Sequence, residues 1–245
     1  MANGIYVAVS GSIAQLDKLD VIANTMAQAS TTGFKRDLLT FESTRYLRPG
    51  TPVEIIDLDD KNFVSAGRSH VRLDQGTLAK TGNPLDIALT GNGYLRIMTP
   101  QGERLTRNGS LMLSRTGELM TNRGQPVLDH TGATIILPVD RSVEIDAQGI
   151  IRHRDQIFAK IGFMGLKKTA KVTKDPHGNI NVPPETERAA LQGDFRVHQG
   201  HLEQSNVNAV GTMVELIGTQ RNFEALHRVI ETYQRMDRSA NRVTR

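Results

Sequence analysis

Cysteine and tryptophan are both missing from these 245 residues. Without a thiol there can be no disulfide framework, no thiolate metal site and no cysteine nucleophile. The same absence suits an oxidising compartment as well as a reducing one. Aromatic residues make up only 4% of the chain and hydrophobic residues 38%, so part of the apolar surface is expected to be completed by another chain. No run of ~18 apolar residues offers a membrane span. At the N-terminus a basic segment is lacking, and Gln15, Asp17, Lys18 and Asp20 interrupt the apolar stretch, so no cleavable signal peptide is expected. A chain of this kind that leaves the cytoplasm needs a route that removes no signal. The net charge of +4 is small and dispersed, which argues against a nucleic-acid partner.

Groups for chemistry are equally sparse. Of the seven histidines only His198 and His201 stand close together, and no third ligand is spaced to complete a zinc site. Asp57, Asp59 and Asp60 resemble a calcium loop only in part, because the Gly and the distant Glu are not at the required offsets. Gly91-Asn92-Gly93 starts no helix and reads as a hairpin turn instead of a phosphate loop. Ser10 lacks the spacing of a nucleophile elbow. The expectation is no enzyme, no cofactor, no metal and no small-molecule substrate.

What the chain does have is two ends with helical rhythm. Ile5, Val9, Ser12, Leu16, Leu19, Ala23 and Met26 follow one another at steps of 4, 3, 4, 3, 4 and 3, the a/d pattern of a coiled-coil seam. Thr31 and Thr32 lower helix propensity and Gly33 can end a helix in the left-handed conformation, so a helix over about residues 5–31 follows. Near the other end Val210, Met213, Leu216, Ile217, Phe223, Leu226, Ile230, Tyr233 and Met236 form a broad apolar stripe. Ser205 or Asn206 can cap its start. Glu224 with Arg228 and Glu231 with Arg235 are i,i+4 pairs, and Arg221, Arg228, Arg235 and Arg242 recur every seven residues as a basic edge.

Between the ends the period changes. Glycine closes turns at Asn92-Gly93, Gln101-Gly102, Asn108-Gly109, Thr116-Gly117, Arg123-Gly124 and Thr131-Gly132. Short β-like runs alternate with them: Tyr94 to Met98, Ser110 to Ser114, Pro126 to Leu128, then Ile135 to Leu137, Val143 to Ile145 and Ile157 to Phe163. The fold class expected is α+β, with coiled-coil-type helices at both termini and a central all-β domain. The divisions are 1–34, an N-terminal helix; 35–80, an extended connector without clear period; 81–200, the β-domain; and 201–245, a C-terminal helix. Each helical seam must be hidden against the other helix or against another copy, and the pattern leaves both open.

Three stretches carry a family resemblance. Ile22 to Asp37, reading IANTMAQASTTGFKRD, matches at Asn24, Ala27, Ala29 to Lys35 the N-terminal signature of flagellar rod and hook proteins, with Thr25 and Gln28 where that family usually has Asn. Thr81 to Leu128 resembles its central β-region, and Leu202 to Val243 its C-terminal helix. Leu202 to Val210 is most similar to proximal rod proteins, with the distal rod protein or another axial protein of the hook type as the alternative. The connector 35–80 is short for a distal member.

The resemblance implies a structural, self-assembling subunit of the bacterial flagellar basal-body rod, where it crosses the periplasm. In that reading 1–34 and 201–245 pair to build the inner tube and the β-domain forms the outer shell. The partners are other copies of the chain, neighbouring rod proteins and the type III export apparatus. The assembly interface is then expected at Ile5, Val9, Leu16, Leu19, Met26, Leu216, Phe223, Ile230 and Tyr233. Termini that stay disordered until docking would slow premature polymerisation, and the arginine edge could meet Asp17 or Asp20 of a neighbour.

Overall fold

The N-terminal rhythm forms a helix, α1, over Ala2–Ala27, in a computed structural model that describes residues 2–46, 61–138, 143–153, 156–167, 172–182, 188–189 and 195–243. The helix stops four residues before the expected end. Thr31 donates its amide to the Gln28 carbonyl at 3.0 Å and its hydroxyl to Gln28 Oε1 at 2.6 Å. These local bonds replace the helical ladder, as short hydroxyl side chains do. At the far end α2 runs over Ala209–Val243. Its cap is Asn208, whose Oδ1 accepts the Gly211 amide at 3.0 Å; Ser205 and Asn206 lie upstream and bond elsewhere.

The chain divides into two units. One holds α1, α2 and two long strands, β1 (Asp37–Tyr46) and β2 (Lys61–Val71), which pair as a two-stranded sheet. Both strands fall within the span read from sequence as extended connector, so that span contains regular structure. Alternation in Leu39, Phe41, Phe63 and Val64 is too weak to show the strands by periodicity alone. Val64 donates its amide to Ser10 Oγ at 3.2 Å, and Lys18 Nζ lies 5.9 Å from the Phe41 ring centre, so the sheet rests on α1.

Residues 28–36 and 70–207 form the second unit. Its largest sheet has six strands in the order β13-β14-β6-β5-β12-β15, with each pairing antiparallel. Their bounds are β5 Gly93–Thr99, β6 Gly102–Thr106, β12 Phe163–Leu166, β13 Thr173–Lys174, β14 Ile180–Asn181 and β15 Arg188–Ala189. Around it, β3 (Leu78–Lys80) pairs with β17 (His201–Glu203), and β4 (Ile87–Thr90) with β16 (Arg196–Gln199). Then β7 (Leu111–Leu113) pairs with β8 (Leu119–Thr121), and β10 (Ile150–His153) lies between β9 (Glu144–Ile145) and β11 (Gln156–Lys160). Inward residues of these short strands, among them Ile87, Leu95, Ile97, Leu119 and Ile151, are fully buried in one core together with Val127, which bridges to Ile97. Each stabilises by about 1.5–3 kcal/mol relative to exposure.

Two turn readings are corrected. The Asn92-Gly93 step joins β4 to β5, which lie in different sheets, and the Asn108-Gly109 step joins β6 to β7, which also do not pair. Neither is a hairpin. At Gly109 the reason for glycine is space, since a Cβ there would lie 1.7 Å from the Ile87 carbonyl oxygen. A tight hairpin occurs instead at β5–β6, closed by Pro100-Gln101 where Thr99 faces Gly102. The last helix also begins later than the 201–245 division, because residues 201–203 are strand β17.

Candidate assembly site

In the helical unit α1 and α2 pack antiparallel. A Cβ added at Gly4 would lie 2.5 Å from Tyr233 Oη, one at Gly11 would lie 3.5 Å from Leu226 Cδ1, and Lys18 Nζ is 3.5 Å from Glu215 Oε1. On α2 the half-buried and buried positions include Thr212, Leu216, Thr219, Phe223, Leu226, Ile230 and Tyr233, which follow a heptad rhythm, and Glu215 beside them. On α1 Ala8, Ser12, Ile22 and Thr25 are buried. Glycine, alanine and serine near the start of α1 let the bulky side chains of α2 lie against its backbone.

The residues expected at the assembly interface therefore separate into two groups. Ile5, Leu19, Met26, Leu216, Phe223, Ile230 and Tyr233 are half-buried within the chain. Val9 and Leu16 are exposed, at 40% and 45%. They belong to another row on α1: Tyr6, Val9, Ile13 and Leu16, at steps of 3, 4 and 3, all exposed, Ile13 most at 56%. This second row escaped the sequence reading, which joined members of both rows into one seam. On α2 the first two turns likewise expose Val210, Met213, Val214 and Ile217.

The basic edge is solvated on its described members, Arg221, Arg228 and Arg235. Arg235 lies 3.9 Å from Glu231 on the open helix surface, a contact of small energy. The Arg242 side chain and Asp57, Asp59 and Asp60 lie outside the described residues. His198 meets Thr90 Oγ1 at 3.3 Å and His201 Nδ1 meets the Gln199 carbonyl at 2.9 Å. Among the described residues no group of three or more His, Asp or Glu is placed to hold a metal ion, and no helix is long and apolar enough to cross a membrane.

The β-unit contains a buried ion cluster that sequence reading did not assign. Glu203, fully buried at the end of β17, accepts from Lys35 Nζ at 2.6 Å through Oε1 and from Arg107 Nη1 at 3.1 Å through Oε2. Its Oε1 also accepts the Gly76 amide at 2.9 Å. Lys35 donates in addition to the Asp74 carbonyl at 2.7 Å. Arg107 donates to the carbonyls of Leu89 and Gly91, and its guanidinium lies 4.5 Å from the Tyr94 ring centre. Burial holds the Lys35 ammonium below its ordinary range, against the opposing pull of Glu203. Burial likewise pushes the Tyr94 phenol up.

The cluster gives the Gly33-Phe34-Lys35 stretch a physical reason. Gly33 has φ +68°, and a Cβ there would lie 2.3 Å from the Arg107 carbonyl carbon; only glycine fits. Its amide reaches the Glu203 carbonyl at 2.8 Å. Phe34 is buried under Lys174, whose Nζ is 4.0 Å from the ring centre. The available sequence signal was slight: Lys35 follows Phe34 and Glu203 follows Leu202, while Arg107 stands between Thr106 and Asn108, and a buried charge needs a partner. Nothing in one sequence shows which charges meet.

Comparison with known proteins finds three families along the chain. "Flagella basal body rod protein" matches residues 5–35, "Flagellar hook protein FlgE/F/G D1 domain" matches 88–153, and "Flagellar basal body rod FlgEFG protein C-terminal" matches 198–243. The flagellar basal-body rod protein FlgF of Mesorhizobium japonicum is 35% identical over 227 residues, covering 91% of this chain and 90% of that one. FlgF of Escherichia coli is 32% identical over 245 residues, covering 95% and 94%. FlgG of Bacillus subtilis is 30% identical over 251 residues, covering 95% of each.

Proposed function

This chain belongs to the flagellar basal-body rod proteins and is FlgF-like, and from that membership we propose that it is a proximal rod subunit held in place through the exposed faces of its terminal helices. The structural role in the rod follows from the family. The position in the proximal rod is supported by FlgF relatives reaching 35% identity, against 30% for the Bacillus FlgG. A distal-rod role of the FlgG kind is the alternative.

The observation that carries the assembly reading is the second apolar row on α1. Val9, Ile13 and Leu16 stand in water in the single chain although the opposite face already has its partner in α2. Exposed apolar rows of this kind mark interaction surfaces. In this reading they pack against further copies or neighbouring rod proteins. Contacts that do not close a ring extend into a tube. Export proceeds through the flagellar type III apparatus without removal of a signal segment, and the pairing of 1–34 with 201–245 builds the inner tube while 81–200 forms the outer shell.

Deletion of the gene tests the position. The expected phenotype is rod assembly arrested before the distal segment, with no hook. Cells that still build a distal rod and hook would show that the segment is wrongly named.

A further inference from the structure

Beyond the assembly reading, and independent of it, the buried cluster has an architecture of its own. Its three charges come from three separate parts of the chain. Lys35 lies in the segment that follows α1, Glu203 in the strand that precedes α2, and Arg107 at the end of β6 in the body of the β-unit. All three side chains are 2% exposed or less. Glu203 is the single anion between two cations, with one carboxylate oxygen assigned to each.

The backbones of the two segments are also stitched to each other, and not only to the body. Gly33 donates to Glu203 O, Asn206 donates its amide to Phe34 O at 3.3 Å, and Arg36 donates to Asn206 Oδ1 at 2.8 Å. The Asn206 amide group then reaches the carbonyls of Arg72 and Asp74 at 2.9 and 3.1 Å. Neither segment therefore has a complete set of partners unless the other is in place. If residues 201–207 lift away, Lys35 and Arg107 lose the one buried anion bonded to both, and only the half-exposed Asp74 carboxylate still acts on Lys35. If residues 28–36 lift away, Glu203 loses Lys35 and the Gly33 amide.

We infer that the Lys35–Glu203–Arg107 cluster is a coupled latch, through which the segments entering and leaving the β-unit seat or release together. The latch makes one opening event of two segments that lie 168 positions apart at the Lys35–Glu203 bond. An uncompensated buried charge is strongly unfavourable, whereas a fully paired one is tolerated. The intermediate with a single segment seated is therefore suppressed.

Hydrogen exchange of the full chain, read by mass spectrometry, tests this. In Glu203→Gln, which strands both cations, exchange should accelerate by about a hundredfold in residues 28–36 and in 201–207 alike. In Lys35→Met, which leaves Glu203 paired with Arg107 but removes the bond between the two segments, both should accelerate by a smaller and equal factor. Amides of Leu95 to Thr106 in the β5–β6 hairpin should keep their protection. Acceleration confined to the segment that carries the substitution, or in neither segment, would overturn the latch. Should both charge variants lose the β5–β6 protection as well, Asn206→Ala decides, because it removes the bridging amide without stranding a charge. Equal acceleration of both segments then supports coupling, and a change limited to 201–207 contradicts it.

Discussion

A lysine, an arginine and a glutamate that are all excluded from water must settle their charges among themselves. Two buried cations and one buried anion leave the cluster with an excess positive charge, offset only in part by the half-exposed Asp74 carboxylate, and Lys35 is the member whose proton burial loosens. Because its folded-state value lies below 10.5, the unfolded chain binds more protons than the folded one between those two values. Stability should therefore rise as pH rises through that alkaline window, since loss of the Lys35 proton leaves one anion with one cation. Denaturant unfolding followed from neutral pH up to 10.0, below the range where the raised Tyr94 phenol acts in the opposite sense, should show this rise in the wild type and lose it in Lys35→Met. Removing the anion has the opposite character. Glu203→Leu should cost about 3–5 kcal/mol at neutral pH, the cost of stranding a buried charge, seen as a lowered denaturation midpoint. An unchanged midpoint would mean that the two cations find other partners.

At the scale of elements, the terminal helices owe their register to small residues. The a/d reading of α1 followed the large apolar side chains and landed between two faces, one turned to α2 and one to solvent. The face that packs on α2 is defined by Gly4, Ala8, Gly11 and Ser12, of which the search for hydrophobic periodicity took in only Ser12. On α2 the same search met the inward face at Leu216, Phe223, Leu226, Ile230 and Tyr233, which are half-buried, but joined to them Val210, Met213, Ile217 and Met236, which are exposed. Ala8→Leu should accordingly overpack the helix pair and destabilise it by about 1–3 kcal/mol, while Val9→Ala, one residue on, should change stability by less than about 0.5 kcal/mol. Equal losses, measured by chemical denaturation, would contradict the register. Asn208→Ala should cost about 1 kcal/mol by removing the helix cap. Strands β5, β7 and β9 were legible as short runs near glycines, but the runs 126–128 and 135–137 form only isolated bridges, 157–163 spans parts of β11 and β12, and the pairing was not legible. The partner of β4 is β16 and that of β3 is β17, each more than a hundred residues away, and no local signal records such contacts.

For the whole molecule, the family places the chain in the flagellar rod, and the order helix, β-unit, helix was readable from period alone. The members of the cluster, Lys35, Arg107 and Glu203, stand one in each of the three stretches that carried the resemblance, yet their meeting depends on the fold. The central claim is that assembly uses a face which folding leaves free. Leu16→Asp separates the two roles, because Leu16 is 45% exposed in the single chain. Ile230→Asp is the contrast, a half-buried position on α2 where a charge should also weaken the folded chain. The most direct measurement is the content of this subunit in basal bodies purified from cells that make and export Leu16→Asp, alongside the melting curve of the purified variant. The account predicts a wild-type melting curve together with absence from the rod; a subunit incorporated at the wild-type level in motile cells would contradict it.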